Sequence, residues 1–210
     1  MNFDQLRTSQ TNLWIIVHLR YLLGLAFFPS GITKLIGHRF TQISTDSPIG
    51  YFFEALYQSG FYWNFLGFSQ LAAGILLMTQ RFALFGALAF FAILTNVWLI
   101  TISLSFKGTW IITSLMMIAV LILLIWDYRK LLPLVSSKNI QTIESFPEAH
   151  KIWIMSGIVY SLSFIILSLI NPFQDGTSKI LVGILVAIIL LTFVTSNYIY
   201  FKNRKLIVKS

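Results

Sequence analysis

A chain of 210 residues that is 57% hydrophobic, 16% aromatic and 10% charged carries well under half the charge of a soluble domain, where about 25% of residues are charged, so an ordinary water-soluble globule is excluded. Lys and Arg outnumber Asp and Glu by 15 to 7 and there is no cysteine, which excludes disulfides, thiol redox chemistry and Cys-ligated zinc or iron–sulfur sites. The apolar residues gather in six blocks, 13–37, 62–79, 83–105, 110–126, 153–170 and 180–201. Each approaches the ~20 residues an α-helix needs to cross the hydrocarbon core. The sequence predicts an all-α fold, a polytopic membrane bundle of six transmembrane helices.

The first block holds His18, Arg20 and Lys34. Charged groups at bilayer depth cost about 2.5–3.5 kcal/mol each on insertion scales and usually face the bundle interior or water. Arg20, Gly24, Phe27, Gly31 and Lys34 follow at steps of four, three, four and three, which places them on one helix face. The two glycines would let another helix approach along that face. Helical rise separates Arg20 from Lys34 by about 20 Å, too far for one compact site. Lys34 either snorkels to the outer interface or pairs with Glu54. By depth, the candidate carboxylate for Arg20 is Asp127 at the end of block four. The block follows Asp4 and Arg7, is 25 residues long and has no small-x-small site after it, so it reads as a retained anchor rather than a removed signal peptide.

Between blocks one and two, Pro48 can open a short helix, Gly60 can close it, and Phe52, Phe53, Leu56 and Tyr57 recur at helical spacing. An interfacial helix near 48–59 is expected over the outer mouth. Block two sets Asn64, Gly67, Gln70 and Gly74 on one face, and block three adds Gly86, Ala89, Ile93 and Asn96. Such amides serve either as interhelical hydrogen-bond glue or, with Arg20, as the lining of a polar pocket. The candidate ligand pocket is Arg20, Gln70, Asn96, Gly24 and Phe27. The links around 80–82 and 107–109 are so short that blocks two, three and four must be antiparallel neighbours.

Residues 1–132 therefore read as a four-helix unit, 133–151 as a polar cytoplasmic linker, and 152–210 as two further helices with a basic tail. Blocks five and six hold no Asp, Glu, Lys, Arg or His, and Asn171-Pro172 turns the chain between them. With the N-terminus inside, ten Lys and Arg fall on the cytoplasmic side and three on the other, favouring both termini in the cytoplasm of a cell membrane. The basic balance is then a topology signal, and no nucleic-acid partner is called for. Trp14, Trp63, Trp110, Trp126 and Trp153 fall at span ends, where indole prefers to sit, while Trp98 lies within a span.

The spans carry no pair of carboxylates for proton pumping, no second histidine for a haem, and no phosphate loop, zinc-protease motif or nucleophile elbow. His38 and His150 read as interfacial residues without chemical roles. No catalytic residue and no metal site is assigned.

The stretch from Arg20 through Gly24, Phe27, Ser30 and Gly31 to Lys34, followed by Gly67, Gln70 and Gly74 and by Arg81 with Gly86, resembles the DoxX family over about 20–132. That resemblance implies a four-helix membrane bundle in a group that includes the small subunit of thiosulfate:quinone oxidoreductase and membrane partners of redox and thiol-stress enzymes. It matches Arg20, Lys34 and Gln70 to the family's recurrent polar positions, Gln70 standing where many members have glutamate. The implied role is an accessory or anchor subunit of a quinone-linked redox complex, with quinone as the implied cofactor and a redox enzyme or a second copy as partner in the bilayer. Rival readings are a transporter of anions or other small solutes and a purely structural scaffold.

Overall fold

The computed structural model describes residues 6–7, 9–135, 151–170 and 176–207. His150, the Asn171-Pro172 turn, most of the expected linker and both chain ends lie outside them. In chain order the helices are α1 (Gln10–Ala26), α2 (Phe28–Leu35), α3 (Pro48–Gln58), α4 (Phe61–Met78), α5 (Ala83–Ser103), α6 (Thr109–Trp126), α7 (Tyr128–Val135), α8 (Lys151–Leu169) and α9 (Gly176–Ile207). Six helical stretches among the described residues are long and apolar enough to span a bilayer, α1 and α2 counting together as Gln10–Leu35. This is a multi-pass helical membrane protein.

The first block is not one continuous helix. It breaks at Phe27, whose N–H turns back to Gly24 O at 3.3 Å. The cause is Pro29, which has no N–H to give to Leu25 and whose ring crowds the preceding turn. The break leaves Phe27 free to stack on Phe90 of α5, centroids 3.9 Å apart.

The short helix forms as Pro48–Gln58. Ser47 caps it, its hydroxyl accepting from Gly50 N at 3.2 Å, with Pro48 in the first turn, where a missing N–H does no harm. Gly60 at φ +57° then reverses the chain into α4.

Helices α4, α5 and α6 run as antiparallel neighbours, and α1 with α2 lies against α4. Backbones touch along the glycine stripes. A Cβ on Gly74 would stand 2.7 Å from Gly24 O, and one on Gly67 2.5 Å from Gly31 O. One apolar core holds Leu23, Phe27, Phe90, Leu94, Val120 and Leu123 between α1, α5 and α6. A second joins Tyr21, Phe28, Leu71 and Met78 to Trp153 and Tyr160 of α8 and Tyr200 of α9. The last two helices therefore pack directly on the first part of the chain. Tyr21 donates its hydroxyl hydrogen to the Trp153 carbonyl and Tyr200 donates to Gln10 O at 2.9 Å.

Candidate functional site

The buried charges form two clusters at different depths along the first span, Gln10–Leu35. In the first cluster Arg20, 7% exposed, meets Asp127, 2% exposed. Nη2 donates to Asp127 Oδ2 at 2.6 Å and Nη1 to Gln80 Oε1 at 3.1 Å. Lys130, one turn on, donates to the other oxygen, Oδ1, at 2.7 Å. Asp127 follows the last turn of α6, where the helix dipole opposes a negative charge, so the two cations are what make a carboxylate tenable there. Gln80 is placed by the tight α4–α5 turn, at φ +59°, and its Nε2 donates to Met78 O at 3.3 Å. Arg20 Nε is buried without a partner.

In the second cluster Lys34, also 7% exposed, donates to Ser30 O at 3.2 Å and to Ser30 Oγ. Its ammonium sits 4.5 Å from the centroid of Phe40 and 5.1 Å from that of Trp63, a cation–π cage. Ser30 Oγ in turn donates to Gln70 Oε1 at 3.2 Å, and Trp63 Nε1 fixes the cage wall by donating to His38 O at 3.0 Å.

Two expectations are corrected by this geometry. Lys34 does not pair with Glu54. The carboxylate instead takes a two-pronged contact from Arg39, at 2.8 and 2.9 Å, because the turn at Gly37, φ +74°, carries Arg39 over α3 while Lys34 stays inside the bundle. Nor do Arg20, Gln70 and Asn96 line one pocket. Gln70 belongs with Ser30 in the Lys34 cluster. Asn96 is exposed on α5 and donates to Ala92 O of its own helix at 2.9 Å. Gly24 is filled by Gly74 and Met78, and Phe27 by Phe90. The sequence reading missed Gln80, a turn residue whose only outward sign is its position between two spans.

The Arg39–Glu54 pair carries a pH prediction. The hydrogen bonds from Arg39 and then Gln58 hold the Glu54 carboxyl below the usual carboxylate range. A depressed carboxylate adds stability above its unfolded pKa, about 4.3, and loses it as pH falls through the lower folded value. Hydrogen exchange over Pro48–Gln58, corrected for intrinsic rate, should therefore speed up below about pH 4. Glu54→Gln should show the same opening at neutral pH; equal protection in both proteins would remove the pair as the cause.

Residues 15–103 match the DoxX family. The likeness is carried by this segment, 89 of the 210 residues. Comparison with curated proteins and with solved structures gave no match. The DoxX segment contains Arg20, Lys34, Gln70 and Gln80 but ends before Asp127. The carboxylate that neutralises its buried arginine comes from a later helix.

Proposed function

We propose that this DoxX-like protein is a non-catalytic membrane subunit that anchors a quinone-linked redox enzyme in the cell membrane. The observation that carries this reading is the closure of its buried charges on the chain itself: Arg20 on Asp127 and Gln80, Lys34 on Ser30 and two aromatic rings. Charges engaged in this way hold helices in register rather than receive a solute. The quinone link rests on what the DoxX resemblance implies. It assigns the redox chemistry to the partner and the membrane attachment to this chain.

The test is purification from membranes in mild detergent, followed by an assay with menadione as electron acceptor. The intact assembly should reduce menadione, this chain alone should not, and Asp127→Leu should lose the partner while leaving the partner's own activity unchanged. Anion flux in liposomes holding this chain alone, abolished by Arg20→Leu, would overturn the proposal in favour of transport.

A further inference from the structure

A groove of about 520 Å³ runs between α1, α8 and α9, with Trp14, His18, Leu22, Tyr160, Leu190 and Phe193 among its walls. Its volume lies in the ~300–1,000 Å³ range of small-molecule sites. Leu22 and Leu190 are 66% and 60% exposed, so the groove opens sideways, toward lipid. Its lining holds no Lys, Arg, Asp or Glu, so nothing in it would recognise a charged headgroup.

Two of its side-chain donors are engaged. Trp14 Nε1 donates to Asn197 Oδ1, and Tyr21 donates to the Trp153 carbonyl. His18 differs. Its Nδ1 lies 2.9 Å from Trp14 O, and a carbonyl can only accept, so Nδ1 carries the hydrogen. An uncharged imidazole has one N–H. Nε2 is then a bare acceptor, with no partner among the described residues, and it is not among the sealed, unpartnered polar atoms. The ring is held in orientation by Trp14, Trp153 and Phe193, with centroids 4.2, 5.4 and 5.7 Å away.

An apolar, laterally open slot with one oriented acceptor selects a molecule that is greasy, uncharged and equipped with one donor. We propose that the groove binds a single-chain lipid alcohol drawn from the bilayer, its hydroxyl donating to His18 Nε2. A carbonyl or ether oxygen in the same place would face a lone pair and be disfavoured. This goes beyond the anchoring role and stands without it.

The experiment titrates the full chain in nanodiscs with farnesol and with farnesyl methyl ether, which has the same chain but no donor, following tryptophan fluorescence against mole fraction in the bilayer. Farnesol should bind saturably and about threefold to tenfold more tightly than the ether, the worth of one neutral hydrogen bond. His18→Phe should bring the two to the same weak affinity, and Leu190→Trp, which fills the slot, should abolish both. Equal binding of alcohol and ether by the unmutated protein, no saturable binding of either, or a preference that survives His18→Phe would overturn the proposal.

Discussion

Asp127→Leu is expected to destabilise the folded protein by about 3–5 kcal/mol, the usual consequence of removing one partner from a buried ion pair. The loss comes less from the missing attraction than from what is left behind. Arg20 would remain buried with Gln80 as its sole polar partner among the described residues, its Nε already unpartnered. Arg20→Leu should cost less, because Asp127 would keep Lys130 at 2.7 Å, and Lys130 is partly exposed and adaptable. The double variant Arg20→Leu/Asp127→Leu should be more stable than Asp127→Leu alone, since an apolar pair at this depth strands no charge. Denaturation of the purified protein by SDS in mixed micelles, run as a double-mutant cycle, measures all three. If the losses simply add, the pair is not coupled and the clamp between α1 and α6 is not what holds Arg20 inside.

The unequal legibility of these features in the sequence has a physical basis. Spans can be read because the bilayer forces every backbone polar group to be satisfied within the helix, so length and apolar content nearly determine the element. The shared face of Arg20, Gly24, Gly31 and Lys34 can be read because helical period fixes it. Asp127 could be named for Arg20 because both lie at the same depth on rigid helices. The partner of Glu54 could not, since it depends on one backbone angle at Gly37 that no periodicity encodes. The same holds for Gln80, whose inward placement follows from a turn at φ +59°, and for the break at Phe27, which Pro29 signals but whose packing against Phe90 needs the tertiary structure. The polar pocket expected from Arg20, Gln70 and Asn96 assumed that amides on neighbouring spans converge. Helix rotation decides that, and it turns Asn96 outward.

Gly67 is the position where a single added methyl group should do most to the α2–α4 contact. A Cβ there would lie 2.5 Å from both Gly31 O and Leu35 N and 2.9 Å from Lys34 Cβ. The two closest atoms are backbone, so no rotamer change relieves the clash and α2 as a whole must move away. Overpacking of this kind costs typically about 1–3 kcal/mol for a small addition, so Gly67→Ala should fall in that range and Gly67→Leu should exceed it. Displacing α2 also carries Lys34 and Ser30 away from Trp63 and Gln70, so the variant should change Trp63 emission, which a purely local defect would not. Gly183→Ala is the control. A Cβ there meets nothing within 4 Å, and its helix should gain the ~0.8–1.0 kcal/mol by which alanine is favoured over glycine in a helix. Thermal unfolding in detergent with tryptophan emission as the signal separates the cases. If Gly67→Ala unfolds together with the unmutated protein and its emission is unchanged, the close backbone approach does not set the α2–α4 distance, and Lys34 owes its burial to its aromatic cage instead.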